Sequence, residues 1–193
     1  MKRRSFLKNA AVLLPASGLP AFALGQAAAS PGADQIHADR AHLVTDLVAA
    51  GQDRLGETHS LGLGSILFKV LPSETNGGLF IIEHQHMTRG GPQLHFHLYQ
   101  EEWFYVMEGE VLFQVGDAQM RLCAGDSILG PRMVPHTFSA AGEKPGRMLI
   151  AFTPAGKMEQ FFRDAAVPNP PVQDAAFFSR YDMKLIGPSP FAA

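Results

Sequence analysis

Residues 90–109 read GGPQLHFHLYQEEWFYVMEG, and this stretch decides the fold. His95 and His97 are two apart, so on a β-strand both side chains leave the same face. Four residues separate His97 from Glu102, enough to turn the chain and bring a carboxylate in from the next strand. Two imidazoles and one carboxylate converging on a point are the beginning of a coordination shell for a divalent metal.

The surrounding residues alternate with the period of strands. Expected strands cover residues 65–71, 79–87, 93–98, 101–107, 111–115, 119–123, 127–129, 137–139 and 147–153, with turns at residues 73–78, at Gly109, at Gly116-Asp117 and at residues 124–126. Short strands every ten residues or so, punctuated by Gly, Pro and Asp, predict an all-β antiparallel sandwich or jelly-roll barrel. Opposite strands of a jelly roll face each other across a core, so a fourth donor belongs on a later strand. His136 is the only histidine after His97.

Two motifs carry a resemblance to the cupin superfamily. His95, His97, Glu102 and Gly109 match its first motif; Gly125, Pro131 and His136 match its second. The resemblance implies a cupin jelly-roll β-barrel with His95, His97, Glu102 and His136 as metal ligands. The chain departs from the pattern at Gly90, one residue late with Arg89 in its place, at Met133 where glycine is usual, and at Ala140 where asparagine is usual. None of the three is a ligand. Within the superfamily the chain resembles single-domain, quercetin-2,3-dioxygenase-like cupins, through residues 74–78, 104–110, 135–138 and 152–154 and the phenylalanine-rich segment that follows.

That resemblance implies a metal-dependent dioxygenase for a small aromatic or enolisable substrate, with Glu102 also acting as a base. Three imidazoles and a carboxylate suit Fe, Mn, Ni or Co, with Cu and Zn as further candidates. Two other functions fit the same ligands: an isomerase or decarboxylase, and a non-catalytic periplasmic binding protein. The isomerase or decarboxylase would take a polar acid or sugar and would want a cationic anchor, for which Arg121, Arg132 and Arg147 are the candidates.

Phe104 and Val106 share the face of Glu102, and Phe138 that of His136, so all three are expected to line an apolar pocket, with plain core packing favoured over substrate contact as their role. His84 and His86 are read as strand residues near the pocket mouth. Glu101 is expected to face solvent, and Glu83 a surface or interface. Trp103 and Tyr105 should cover the outer sheet face or a dimer contact, Cys123 should be a small buried residue, and His37, His42 and His59 should be exposed in an N-terminal arm.

At either end the pattern changes. Lys2, Arg3, Arg4 and Lys8 precede a short, broken apolar run, with small-residue cleavage sites at residues 21–23 and 27–29. This resembles a twin-arginine export signal. Its removal takes the formal charge from −2 to −6, which gives no reason to expect a nucleic-acid partner or, after cleavage, a membrane anchor. One cysteine excludes an internal disulfide. Leu43, Val44, Leu47 and Val48 suit either a short helix ending near Gly51 or a linker with an extended arm, and Met158, Phe161, Phe162 and Ala165 predict a helix packed outside the barrel. Residues 175–181 suggest a second short helix, and residues 185–188 an irregular tail. The expected organisation is a signal peptide at 1–29, an arm at 30–60, the barrel at 61–154 and a C-terminal helix and tail at 155–193. A small-molecule substrate and a homodimer complete the expectations.

Overall fold

The computed structural model describes residues 47–191. The export signal, His37 and His42, and most of the expected helix ending near Gly51 lie outside the described residues.

Among the described residues, eleven antiparallel strands form two sheets that enclose one core. In chain order they are β1 (His59–Ser60), β2 (Ser65–Val70), β3 (Phe80–Met87), β4 (Leu94–His97), β5 (Glu101–Glu108), β6 (Glu110–Val115), β7 (Ala118–Cys123), β8 (Ser127–Gly130), β9 (His136–Ala140), β10 (Gly146–Thr153) and β11 (Met183–Gly187). One sheet runs β1-β2-β3-β10-β5-β8 and the other β11-β4-β9-β6-β7. This is the all-β jelly-roll barrel expected from the strand pattern.

Alternation drives the packing. Along β5, Glu102, Phe104 and Val106 are buried while Trp103 between them is exposed. Phe68, Phe80, Phe104, Phe113 and Phe152 are fully buried and supply much of the core. Each aromatic contributes a large apolar area, and edge-on pairs such as Phe104 with Phe113, centroids 5.0 Å apart, fix their relative orientation. Gly109 turns β5 into β6 with φ 78°, a left-handed conformation that favours glycine.

Two helices follow the barrel, α1 (Met158–Ala165) and α2 (Ala175–Arg180). The Asp174 carboxylate caps α2 by accepting the Phe177 N–H at 2.8 Å. Met158, Phe162 and Ala165 are buried, as their spacing requires. They do not coat an outer wall, however; they close one end of a cavity inside the barrel.

Several expectations are corrected. Residues 185–188 do not form an irregular tail: β11 pairs with β4, setting Met183 opposite His97 and Leu185 opposite His95. Its short polar-apolar alternation is too brief to stand out before its partner strand is known. His59 is 6% exposed, stacked on Phe68 at 4.1 Å between centroids. Together with buried Asp53, whose carboxylate accepts the Phe68 N–H at 2.5 Å, it joins the end of the arm to the barrel. Cys123 is exposed, because β7 is an edge strand and Leu122 takes the inward position. His86 does not share His84's face: it is exposed with φ 53°, beside a register shift between Gly146 and Met148 on β10.

Candidate metal centre

The donors come from both sheets. β4 and β9 are neighbours that set His95 opposite His136, so three imidazoles sit on one inner face. Glu102 approaches from the other sheet, opposite Phe152 on β10 and Gly130 on β8. All four side chains are buried, and one ligand atom from each lies within 4.8 Å of the others.

Glu102 Oε2 is 3.0 Å from His97 Nε2 and 2.8 Å from His136 Nε2. His95 Nδ1 donates to the Gln93 carbonyl at 2.7 Å, and His136 Nδ1 to the Val134 carbonyl at 3.0 Å. Each carbonyl lies two residues before its histidine, so the local strand geometry fixes the tautomer. The proton stays on Nδ1 and the Nε2 lone pair faces the centre. Lone pairs of imidazole and carboxylate directed at one another repel unless a proton or a cation sits among them. The donor set therefore fits a divalent metal, which the geometry of the residues themselves calls for. His97 lacks such a carbonyl: its Nδ1 is buried without a partner.

Burial and mutual charge tune these groups. Burial lowers His95 to about 3, aided by the charges of His136 and His97 and opposed by Glu102, so the ring is a neutral donor at neutral pH. Burial would raise the Glu102 carboxyl, yet hydrogen bonds and charge from His136 and His97 outweigh it and leave it well below the ordinary carboxylate range. His136 moves the other way: burial, the largest single effect, lowers it, but the hydrogen bond and charge of Glu102 together with the Val134 carbonyl raise it by more.

Small and irregular residues make room for the four. A Cβ on Gly130 would stand 3.1 Å from His136 Nδ1, so glycine opposite Glu102 lets the ring tuck against β8. Met133, in the position that the motif usually gives to glycine, takes the left-handed conformation with φ 63° and donates its N–H to the His97 carbonyl at 2.8 Å. The turn geometry survives that departure.

The centre opens onto a cavity of about 310 Å³. His95, His97 and Glu102 form part of its wall; Ile66, Phe152, Met158, Phe161 and Phe162 supply much of the rest. Phe138 lines it as expected, whereas Phe104 and Val106 pack into the core behind. Phe178 approaches His95 edge-on at 5.3 Å, and His84 lines the cavity from β3. The phenylalanine-rich spacing after Pro154 signalled an apolar face, but not that its destination was the cavity. Neither Lys nor Arg lines the cavity among the described residues. Arg121 pairs with Glu110, Arg132 with Glu101, and Arg147 with Glu83 and Glu108. Glu83 is buried beneath Arg147 and Lys69, the latter 3.1 Å away, so it faces neither open surface nor the cavity.

Residues 83–152 match the family model described as a cupin domain. The matched span contains all four donors, and with the fold it supports the cupin superfamily. No curated protein sequence matches the chain. Among solved structures, the chain is similar to an RmlC-like cupin from Shewanella frigidimarina, at 24% identity over 53% of this chain and 87% of that one, with a TM-score of 0.47. It is similar to KdgF from Halomonas sp. at 20% identity over 51% of this chain and 86% of that one, TM-score 0.44. Oxalate decarboxylase from Bacillus subtilis shows 21% identity over 50% of this chain and 26% of that one, TM-score 0.44.

Proposed function

We propose that the protein is a metal-dependent dioxygenase that opens a small aromatic or enolisable ring with O2. The observation carrying this reading is a three-histidine, one-glutamate donor set, three members of which line an apolar cavity that has no cationic side chain in its wall among the described residues. His95, His97, His136 and Glu102 would hold Fe, Mn, Ni or Co. When bound, such an ion offers open positions for substrate oxygen and dioxygen. Both oxygen atoms enter the cleaved product, so no external reductant is required.

The chain's own residues do the remaining work. Glu102 is a carboxylate at neutral pH with little affinity for a proton, so it is suited to hold the metal and to accept a hydrogen bond from an enol or phenol hydroxyl at its free lone pairs; its role as a base would require the substrate hydroxyl to be acidified by the metal. Phe138, Phe152, Phe161 and Phe162 offer ring faces and edges to a flat substrate and exclude water. A polar acid or sugar would find no cationic anchor in the cavity wall among the described residues, which weighs against the isomerase or decarboxylase reading.

Elemental analysis of the purified protein and oxygen-electrode measurements with catechols and flavonols test the proposal. Metal near one per chain, with oxygen uptake lost in Glu102→Gln, is the expected result. Metal with no uptake from any of these compounds overturns the oxygenase reading. Tight retention of a ligand without turnover would favour the non-catalytic binding protein.

Export and pairing belong to the same proposal. Arg3-Arg4 followed by the apolar run supports export to the periplasm, and replacing both arginines by lysine in a reporter fusion should block it. Trp103, 38% exposed and stacked on Tyr105 at 5.9 Å, supports pairing of two copies through outer sheets. Sedimentation of Trp103→Glu tests that contact.

A further inference from the structure

The cavity contains a polar side chain that the metal centre does not use. His84 sits on β3, 6% exposed, and its ring lines the cavity. Its Nε2 is closed off against the Gly64 backbone without a hydrogen-bond partner, whereas Nδ1 is neither sealed in this way nor hydrogen-bonded, which leaves Nδ1 as the ring nitrogen that a ligand can meet. Around it the structure is apolar or shaped to accommodate the ring. Ile66 and Met148 flank it on the adjacent strands. Phe138 meets it edge-on at 6.1 Å. Gly64 passes so close that a Cβ there would come within 2.8 Å of Nε2.

His84 is also far from the donors along the sheet. Its cross-strand partner is Met148, while that of Glu102 is Phe152, and β10 lies between β3 and β5. Four residues along and two strands across place their Cα atoms on the order of 16 Å apart by ordinary strand spacing. The donors and the His84 ring therefore stand at separated points of one largely apolar chamber. A single-ring catechol held at the donors does not reach across that span, but a two- or three-ring molecule does.

Resting on the dioxygenase reading above, we infer that His84 is the distal anchor of the cavity. It hydrogen-bonds a hydroxyl or carbonyl oxygen at the end of a multi-ring aromatic substrate remote from the oxygens held at the metal centre. A neutral imidazole carries one donor and one acceptor, so it can serve either kind of group. Burial lowers His84 to about 4, which keeps the ring neutral at the pH where it would act. His84 is a specificity-determining residue in this account; the bonds made and broken lie at the other end of the substrate.

A matched pair of probes tests the inference: 3-hydroxyflavone, which offers a chelating pair at one end, and the same compound with a 4′-hydroxyl at the other. Equilibrium binding is measured under argon on the metal-loaded protein, separately from oxygen uptake in air. The wild type should bind the 4′-hydroxylated probe about tenfold more tightly, as expected for one additional buried hydrogen bond. In His84→Phe that ratio should fall to about twofold or less, with metal content equal to the wild type; His84→Gln should recover part of it. Equal binding of the two probes by the wild type, failure to bind either, or an unchanged ratio in His84→Phe overturns the inference. The two readings separate cleanly: binding with the expected ratio but no oxygen uptake removes the dioxygenase and leaves the anchor.

Discussion

Glu102 Oε2 lies 2.8 Å from His136 Nε2, although the two residues belong to different sheets and are 34 positions apart in the chain. The contact ties β5 to β9 across the barrel interior. It makes the centre a property of the closed barrel, since neither sheet alone assembles the donors. Such a buried carboxylate is stable only while its partners remain, because one uncompensated buried charge is costly.

Glu102→Gln removes the charge and turns an amide toward one or both imidazoles. Metal affinity should fall by more than tenfold. Elemental analysis after dialysis against a competing chelator measures this, and retention of one metal per chain would show that the three histidines suffice.

Acid should destabilise the metal-free protein through His84. Its folded pKa is depressed to about 4, so the unfolded chain takes up the proton first as pH falls below the ordinary histidine range. Stability is then full above that range and declines between about pH 6.5 and 4, by on the order of 3 kcal/mol in total. Urea unfolding at pH 7.5 and 5 should show a smaller loss for His84→Phe than for the wild type; parallel losses would refute the assignment. His95, lowered in the same direction, adds to the residual slope.

Gly91→Ala should be severely destabilising. Gly91 has φ 113°, and a Cβ would fall 1.7 Å from the Phe138 carbonyl oxygen, a backbone atom of β9 that cannot swing away. A loss of at least about 3 kcal/mol is expected. Denaturant unfolding checks it, and a change below 1 kcal/mol would mean that the loop relaxes freely.

Ending the chain after residue 182 removes β11 and leaves β4 as an edge strand carrying His95 and His97. Metal affinity should drop roughly tenfold or more as those rings lose their fixed positions. A truncated chain that unfolds at the wild-type temperature and keeps its metal would show that β4 is held by β9 alone.

Much of this was legible from residue order. The spacing of His95, His97 and Glu102 follows from strand period two, and the hairpin signals at Gly109 and Gly116-Asp117 follow from turn chemistry. Of the three apolar residues expected beside the donors, Phe104 and Val106 pack in the core and Phe138 lines the cavity, a division that residue order does not make. Sharing the inner face with Glu102 places a residue inside the barrel, but depth along the barrel axis decides between core and cavity, and that depends on the opposite sheet. His59 was misplaced because a lone histidine in a polar arm carries no signal of the phenylalanine it will stack on.

The sequence by itself determined the strand alternation and the turns, because these follow from local backbone geometry and side-chain chemistry; it pointed to the four donors through strand spacing together with the resemblance of its two motifs to the cupin superfamily. Only the tertiary structure decided where the donors meet, which phenylalanines face the cavity, that the C-terminal segment is a strand beside β4, and that His84 rather than His86 points inward. Those outcomes depend on contacts between residues distant in the chain and on a register shift between β3 and β10. No local period specifies either. Residues 90–109 thus supplied three ligands on a strand pair, and closure of the barrel made them a site.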